Sequence, residues 1–556
     1  MKTGFKIVLV IGVVLASSWS ATTAKAQIVH DAEYYISAAQ NGERWAADDQ
    51  AIEAKLAAIR ARNGGKPPNI VYILLDDLGF GEIGMPDFSV VRGYNTPNIN
   101  ALARQGLSLQ RMYTEPSCTP TRVAMLTGRY PIRTGLTEAK ATIAGDGLPG
   151  DEVTIAEVLR DAGYNTSHVG KWHMGDIEQA YANNQGFMHA EFPIHQQGQL
   201  AIMHEDAEAA DVIRSVNPAN EAQTFTLDRT FVASPSAMVT GVEVRDGKLY
   251  EVDLQPGEQW NQQKYKEMNQ RYQDHALEQL RSLAKQDKPF FLNYWPLAPL
   301  VFNRDDTGAL TLNGGTIPAS LVEVDGWIGD IVAEVDNLGI ADNTIVIVMG
   351  DNGPFMQYAG ASGQSDRIYR GGKADHLEGG VRVNAFVRWP GVIEAGSYAG
   401  DIIHVSDLFT TFARLANAMN GVPRDRLIDG LDQSGVLLLG EAHGRRDYVH
   451  IYEGTVLKSV VKNKYKMHVP PPGSNPIAAS IFDLYRDPRE DRPIDSIKYG
   501  PWAGGQFANM IKRHMMTKMK YPDRGVTHAP PYEGIENLRP ETREMLEIFL
   551  SWQPKK

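Results

Sequence analysis

The chain has 556 residues, of which 43% are hydrophobic and 22% are charged, and its formal net charge at pH 7 is -12. This composition is typical of a globular protein, and the length allows more than one domain. The negative charge argues against non-specific binding to nucleic acid or to anionic membranes, because those partners require a basic face. The single cysteine, Cys118, excludes an intramolecular disulfide.

The first 26 residues have the features of an export signal. Lys2 and Lys6 form a basic n-region, residues 7–16 are apolar, and a small-x-small cleavage site ends at Ala26. We therefore expect cleavage after Ala26 and a periplasmic or secreted mature protein without a stable membrane anchor. An uncleaved anchor is the alternative, but the apolar run is shorter than the ~20 residues that a span requires.

A helical leader is predicted between the signal and the main body of the protein. Ile52, Leu56 and Ile59 recur at helical spacing, and a Gly-Gly pair and two prolines then interrupt the pattern. We assign residues 27–66 to this leader and residues 67–445 to a larger α/β domain.

Two continuous apolar runs, at residues 69–75 and 344–349, predict strands that are buried on both faces of a parallel sheet. Each run ends in acidic or amide residues. Because open α/β sheets hold their ligands at the carboxyl ends of strands, these side chains are candidate ligands. They are Asp76, Asp77, Asp351 and Asn352.

Further apolar segments alternate between strand and helix patterns. Strands are predicted at residues 166–170 and 289–295, and helices at residues 154–162 and 272–285. This alternation predicts an α/β fold in which helices flank a large, mostly parallel central sheet. Residues 188–259 show no strong period and are interpreted as an insertion.

The pattern changes near residue 447 to short strands at residues 448–452, 457–461 and 465–469, with a turn near Asn463. Such spacing is typical of antiparallel hairpins. We therefore predict a smaller C-terminal domain with an antiparallel sheet at residues 446–556.

The four side chains at the strand ends suggest a metal site. Carboxylate and amide oxygens are hard ligands, which suit Ca²⁺ or Mg²⁺ better than Zn²⁺. A divalent cation would offset the mutual repulsion of the carboxylates. The alternative for each pair alone is turn chemistry, because Asp, Asn and Gly favour turns.

Cys118 stands in the sequence Ser-Cys-Thr-Pro-Thr-Arg at residues 117–122. An unpaired thiol in an oxidising compartment requires a chemical explanation. As a plain thiol it could be a nucleophile with His173 as its base, or it could be a buried structural residue.

Five ordered blocks resemble the signatures of the type I sulfatases, which belong to the alkaline-phosphatase-like superfamily. Cys-x-Pro-x-Arg at 118–122, followed by Leu-Thr-Gly-Arg, resembles the first signature, and Gly-Lys-Trp-His-Met-Gly at 170–175 resembles the second, with Met174 where leucine is usual. The other blocks are Asp-Asn-Gly at 351–353, Arg-Gly-Gly-Lys at 370–373 with Glu-Gly-Gly-Val-Arg at 378–382, and Ile-Phe-Asp-Leu-Tyr at 481–485.

The resemblance implies that a maturation enzyme oxidises Cys118 to formylglycine. Of the two hydroxyls of the hydrated aldehyde, one would attack sulfur, and the other would later lose its proton and expel sulfate. The resemblance also implies a divalent metal, Ca²⁺ with Mg²⁺ as the alternative, in contact with the oxygen of residue 118. Its ligands would be Asp76, Asp77, Asp351, Asn352 and the modified Cys118.

Four further residues receive catalytic roles from the same resemblance. Arg122 would hold the modified side chain, and His173 would be the base that promotes sulfate release. Lys171 and Lys373 would bind the sulfate oxygens and neutralise charge that develops in the transition state.

The chain departs from the family at Leu300, where the family usually has a histidine near the leaving-group oxygen. Leucine cannot donate a proton. Either another group that binds the substrate, such as His376, supplies this function, or the enzyme favours leaving groups that need little protonation, or catalysis is weakened. A phenol-like leaving group fits the second option.

These features predict hydrolysis of a sulfate monoester, with an aryl ester favoured. One alternative is a phosphate or phosphonate ester hydrolase on the same fold, since the charge and geometry of sulfate and phosphate overlap. Another is a catalytically weak relative that binds sulfated glycans. The expected partners are the ester substrate and the maturation enzyme, and no nucleic acid is expected.

Overall fold

The computed structural model describes residues 27–91, 94–140, 145–193, 241–245, 248–252, 262–296, 316–354, 368–471, 480–494 and 496–530. The predicted export signal, Leu300 and most of the predicted insertion lie outside these ranges. Within them, no helix combines the length and the apolar character needed to cross a membrane.

Strands and helices alternate over most of the described chain. The strands are β1 (Asn69–Leu75), β2 (Leu107–Tyr113), β3 (Asp146–Gly147), β4 (Asn165–Gly170), β5 (His189–Pro193), β6 (Gly241–Arg245), β7 (Lys248–Val252), β8 (Phe290–Trp295), β9 (Thr344–Gly350), β10 (Arg382–Arg388), β11 (Ser397–His404), β12 (Tyr448–Glu453), β13 (Val456–Lys462), β14 (Tyr465–His468), β15 (Ser480–Asp483) and β16 (Thr527–His528). The helices are α1 (Ala32–Arg62), α2 (Pro86–Val91), α3 (Pro97–Gln105), α4 (Cys118–Thr127), α5 (Ile155–Asp161), α6 (Gln262–Ala284), α7 (Thr316–Asn337), α8 (Glu378–Val381), α9 (Asp407–Leu415), α10 (Ser434–Leu439) and α11 (Ser496–Lys520).

Ten described strands form one large mixed sheet in the order β11-β2-β10-β9-β1-β8-β4-β5-β6-β7. Eight of them run in one direction, and only β6 and β10 run antiparallel to their neighbours. The predicted large, mostly parallel sheet is therefore confirmed.

The parallel centre of this sheet consists of β9, β1, β8 and β4, and every residue of these strands is buried. Successive side chains of β1 enter two different cores, with Tyr72 and Leu74 on one face and Val71 and Ile73 on the other. Each large apolar side chain buried in this way contributes about 1.5–3 kcal/mol relative to its exposed state.

The edges of the sheet were not predicted. Strands β2, β10 and β11 extend one side, and the region interpreted as an insertion contributes β5, β6 and β7 to the other. Strand β11 has exposed or half-buried residues at four of its first five positions, so it lacks the continuous apolar run by which a central strand is recognised.

The four-stranded antiparallel sheet β12-β13-β14-β15 confirms the predicted C-terminal hairpins. Helix α11 packs against β13 and β15. A helix is present within the predicted leader, namely α1, which packs against α10 and α11, so it contacts elements from both parts of the chain. The domain boundaries at residues 66 and 445 stay predictions.

Candidate active site

Strands β1 and β9 bring the predicted acidic residues together. The two strands pair in parallel, with Leu75 opposite Gly350, so the residues that follow them are neighbours. The backbone N–H of Asp77 donates to Asp351 Oδ1 over 2.9 Å. Asp77 has a φ of 54°, a left-handed conformation that aspartate adopts more readily than most residues. The strand register therefore places the predicted ligands at one edge of the sheet.

Cys118 joins these carboxylates as the first residue of α4, where it is fully buried. Its thiol donates to Asp77 Oδ1 over 3.5 Å and accepts from Lys373 Nζ over 3.0 Å. Pro120 is compatible with this position because N–H groups in the first turn of a helix have no intrahelical partner. We call Asp76, Asp77, Cys118 and Asp351 the acidic cluster. One potential ligand atom from each of these residues lies within 4.8 Å of the others.

Arg122 is held rigidly on the same helix. Its Nη2 contacts Asp76 Oδ1 at 3.1 Å and Asp351 Oδ2 at 2.8 Å, and its Nη1 donates to the carbonyl of Lys171 at 3.2 Å. The guanidinium lies 4.7 Å from the ring centre of Trp295, at the end of β8. Arg122 thus bridges two carboxylates and has few other orientations open to it.

Two lysines complete the charge balance of the acidic cluster. Lys171 Nζ donates to Asp76 Oδ1 at 2.7 Å, and Lys373 Nζ lies 2.7 Å from Asp77 Oδ1. Together with Arg122 they supply three positive charges against the three aspartates. The structure therefore brings together the residues that the sequence analysis assigned to the metal, the nucleophile and the sulfate oxygens.

The charges around Cys118 determine its protonation state. Burial, followed by the negative charges of Asp351, Asp76 and Asp77, raises the pKa of the Cys118 thiol well above its usual value. A protonated thiol is a poor nucleophile. Burial alone would raise the pKa of Asp76. The positive charges of Lys171, Lys373 and Arg122 outweigh burial and hold that pKa well below its usual value.

The imidazole of His173 is neutral, as a general base must be before it accepts a proton. Burial, followed by Lys171 and Arg122, lowers the pKa of His173 well below its usual value. Its Nε2 lies 3.0 Å from the carbonyl of Lys140, and because a carbonyl only accepts, Nε2 carries the proton. Among the described residues, Nδ1 has no hydrogen-bond partner although it is buried. The free lone pair of the imidazole is therefore on Nδ1.

Within the described chain, the imidazole of His376 makes no hydrogen bond to the acidic cluster. Its Nδ1 instead contacts Glu453 Oε1 at 2.6 Å, at the end of β12. Sequence reasoning missed Glu453, because nothing in the sequence connects it to a residue 77 positions earlier. It also missed Trp295 beneath Arg122, although the position of Trp295 at a strand end was a usable signal.

The donor set of the acidic cluster fits a hard cation. Asn352 donates from Nδ2 to Asp77 Oδ1 at 2.7 Å and to the carbonyl of Gly353 at 2.8 Å. Its Oδ1 is buried and has no hydrogen-bond partner in the described structure. A buried oxygen without a donor, beside three carboxylates, is a suitable ligand for Ca²⁺ or Mg²⁺.

The sequence of this chain is similar to those of known proteins. The family model described as Sulfatase matches residues 68–418. The steryl-sulfatase of Rattus norvegicus is 30% identical over 553 residues, which cover 85% of this chain and 93% of the relative. The chain belongs to the sulfatase family. It is therefore a sulfuric ester hydrolase, and the resemblance noted in the sequence is confirmed.

Other relatives support the family membership and the fold. The N-acetylgalactosamine-6-sulfatase of Mus musculus is 31% identical over 425 residues, which cover 74% of this chain and 73% of the relative. The solved structure of the PsFucS1 sulfatase from Pseudoalteromonas sp. matches with a TM-score of 0.72 and 26% identity. That match covers 86% of this sulfatase and 96% of the solved chain.

Proposed function

We propose that this sulfatase hydrolyses a sulfate monoester with a formylglycine derived from Cys118 as its nucleophile. The observation that carries the proposal is the position of the single cysteine. Cys118 is fully buried at a helix start, 3.5 Å from Asp77 Oδ1 and 3.0 Å from Lys373 Nζ. Its raised thiol pKa argues against a plain thiol nucleophile paired with His173, and within the described residues no hydrogen bond joins those two side chains.

A divalent cation is the second part of the proposal. We assign its ligands as Asp76, Asp77, Asp351, Asn352 and the oxygen of the modified residue 118, with Ca²⁺ favoured over Mg²⁺. Bound there, the cation would lower the pKa of that oxygen and stabilise negative charge on it. Three carboxylates already face three basic side chains, so a divalent cation leaves the site with two excess positive charges. Such a surplus attracts an anionic ester in a protein whose overall charge is negative.

The side chains of this chain then have distinct tasks. Arg122, fixed between Asp76 and Asp351, orients the side chain of residue 118. Lys171 and Lys373 neutralise the sulfate oxygens in a buried site, where charge stabilisation is strongest. His173, neutral and with a free lone pair on Nδ1, takes the proton whose loss releases sulfate.

The hydrated formylglycine would supply a second hydroxyl, which lets residue 118 expel sulfate without attack by water at sulfur. Because Cys118 is fully buried in the folded protein, its oxidation by a maturation enzyme has to precede folding. The N-terminal pattern supports export to the periplasm or the medium with cleavage after Ala26. Fast cleavage of aryl esters is proposed because Leu300 has no proton to donate to a leaving group.

Mass spectrometry of the tryptic peptide from Met112 to Arg122 tests the nucleophile. Protein expressed in a host that makes the maturation enzyme should contain the aldehyde or its hydrate at position 118. Active protein with an unmodified cysteine would overturn the proposal and revive the thiol mechanism.

Paired substrates test the reaction. The purified enzyme should release sulfate from 4-nitrophenyl sulfate faster than phosphate from 4-nitrophenyl phosphate. A preference for the phosphate ester by orders of magnitude would favour the phosphate or phosphonate hydrolase. Binding of sulfated glycans without any sulfate release would favour the binding protein.

Chelation tests the metal. Treatment with a chelator should abolish turnover, and Ca²⁺ should restore it at least as well as Mg²⁺. Asp77→Asn should raise the Ca²⁺ concentration needed for half-maximal activity. Full activity in the chelated protein would exclude the proposed role of the cation.

A further inference from the structure

The loop that carries Lys373 extends from the buried Cys118 towards the protein surface. Exposure of the side chain is 0% at Cys118, 9% at Lys373 and 21% at His376. The loop turns tightly, with Asp375 N donating to the carbonyl of Gly372 at 3.0 Å. His376 therefore lies one tight turn above the lysine that contacts Cys118.

The imidazole of His376 is oriented by a carboxylate from a different part of the chain. Glu453 Oε1 accepts from the backbone N–H of His376 at 2.9 Å and contacts its Nδ1 at 2.6 Å. Because a carboxylate only accepts, Nδ1 carries a proton, and in the imidazolium form the second proton is on Nε2, the ring nitrogen that does not contact Glu453. The ring of His468 packs edge-on at 4.8 Å and restricts rotation of the imidazole. Lys458 binds the other oxygen of Glu453 at 3.2 Å.

The pair also adjoins the loop that orients the candidate base. Gly454, the residue after Glu453, lies beside Glu138, because a Cβ atom at position 454 would be 3.2 Å from Glu138 Oε1. Two residues further along that loop, the carbonyl of Lys140 holds His173. The His376–Glu453 pair is thus at the rim of the active site, next to the segments that carry Lys373 and His173.

Cleavage of a sulfate ester leaves negative charge on the alcohol oxygen, and a weakly acidic alcohol requires a proton at that moment. The basic groups near Cys118 are engaged in other ways. Lys171 and Lys373 contact carboxylates, and His173 is neutral and so has no additional proton to give. A histidine beside a carboxylate is suited to carry the missing proton.

We propose that His376, oriented by Glu453, donates this proton to the leaving alcohol, an inference that rests on the proposed function. The oxygen of residue 118 forms the new bond to sulfur and loses its proton to a neighbouring carboxylate of the acidic cluster. The ester S–O bond breaks, and its electron pair stays on the alcohol oxygen. The proton on His376 Nε2 moves to that oxygen, so a neutral alcohol leaves and a neutral imidazole regains its proton from solvent.

The test is the dependence of kcat/KM on the acidity of the leaving alcohol. Wild type, His376→Gln and Glu453→Gln are compared on 4-nitrophenyl sulfate, phenyl sulfate and 2-phenylethyl sulfate. For His376→Gln we expect a loss of about threefold on the nitrophenyl ester that grows to about 100-fold on the phenylethyl ester. Glu453→Gln should show the same trend with a smaller range, from almost no loss on the nitrophenyl ester to about tenfold on the phenylethyl ester, because the imidazole remains but is less well oriented.

The matched control is His443→Gln. His443 is also a partly exposed histidine that contacts a carboxylate, Asp48 Oδ1 at 2.9 Å, on the face covered by α1. This variant should behave like wild type on all three esters. A loss that is equal across the three esters in the His376 variant, or no loss at all, would overturn the inference.

Failure of the proposed function and failure of the proposed role of His376 give different results. If wild type releases sulfate from none of the esters, the proposed function fails. If wild type cleaves all three and the slope against alcohol acidity is unchanged in both variants, only the role of His376 fails. Should His376→Gln not melt cooperatively, the slope for Glu453→Gln decides.

Discussion

Two groups of buried charges in this fold are satisfied in different ways. In the closed cluster, which we define as Arg133, Asp407, Asp429 and Arg446, each arginine makes two hydrogen bonds to one carboxylate. Arg133 contacts both oxygens of Asp429 at 2.7 and 2.8 Å, and Arg446 contacts those of Asp407 at 2.8 and 2.5 Å. Asp407 also accepts hydrogen bonds from His404 N, Leu431 N and Gln433 Nε2.

The site around the acidic cluster, in contrast, keeps buried acceptor atoms without partners in the described structure. Asn352 Oδ1 and His173 Nδ1 have none, and Arg122 is shared between Asp76 and Asp351. Every carboxylate oxygen of the closed cluster has a partner, and of its guanidinium nitrogens only Arg133 Nη1 has none among the described residues. Removal of one member of such a buried pair is strongly destabilising, because it leaves the other charge uncompensated. Unsatisfied buried atoms require an additional partner, which here would be a cation or a substrate.

Removal of the proposed nucleophile should have the largest effect on activity. Cys118→Ala should reduce kcat by about 10⁴-fold or more, because the variant lacks the group that forms the bond to sulfur in the proposed mechanism. The free energy of unfolding should change little, since the side chain is small and the basic residues keep their carboxylate partners. Sulfate release and urea unfolding measure the two quantities.

Thr127→Ala is the control for this variant, because Thr127 is a buried residue of the same helix whose hydroxyl donates to the carbonyl of Val123 and accepts from the backbone N–H of Arg129, without contact to the acidic cluster in the described structure. It should retain wild-type kcat. Substantial turnover by Cys118→Ala would show that residue 118 is not the nucleophile.

Disruption of the closed cluster should produce the opposite result. Asp407→Asn leaves Arg446 with an uncompensated buried charge, so the free energy of unfolding should fall by about 3–5 kcal/mol. Activity per folded molecule should be unchanged. Asp425→Asn, which breaks the exposed pair of Asp425 with Arg426, should cost less than about 1 kcal/mol. Equal effects of the two variants in urea unfolding would contradict the assignment of Asp407 to a stabilising pair.

The two lysines that contact the acidic cluster should affect catalysis more than folding. Lys171→Met and Lys373→Met should each lower kcat/KM by about 10²–10³-fold, the usual result of removing one group that stabilises transition-state charge. Lys464→Met is the matched control, because this lysine is over a third exposed and, within the part of the chain that the structure describes, its side chain contacts Asp483 and the ring of Tyr465 rather than the acidic cluster. A loss below tenfold for both cluster variants would assign these lysines to charge balance rather than to catalysis.

The sequence contained enough information for the centre of the fold and most of the acidic cluster. Strands β1 and β9 are apolar at almost every position, and the strand-end rule then places Asp76 and Asp351 together. Arg122 could be placed because it follows Cys118 by one turn of helix. These relationships are local, or they follow from a regular sheet.

The remaining contacts join segments that no local pattern connects. Glu453 reaches His376 across 77 residues, and Arg446 reaches Asp407 across 39. Edge strands such as β11 carry polar residues because one face or one edge meets solvent, which hides their strand pattern. The sequence likewise could not show which carboxylate orients His376.

The smallest predicted effect concerns the pH dependence of stability beside the closed cluster. Burial, followed by the charge of Arg133, lowers the pKa of His514 to about 3. The unfolded chain therefore binds a proton as the pH falls below about 6.5, whereas the folded protein does not until about pH 3. Stability from this residue is complete above pH 6.5 and falls by about 1.4 kcal/mol per pH unit below it. The charged and titratable groups facing His514 are Asp31, Arg133, Asp429, His450, Tyr452 and Lys518.

His514→Gln removes this titration and leaves a side chain that can still form hydrogen bonds. Between pH 6 and 4 the variant should lose stability less steeply than wild type, by about 1.4 kcal/mol per pH unit in urea unfolding. Parallel pH profiles for wild type and His514→Gln would mean that His514 is protonated in the folded protein. Its contact with Asp31, at 2.8 Å, would then be a buried ion pair, and the closed cluster would extend to the start of α1.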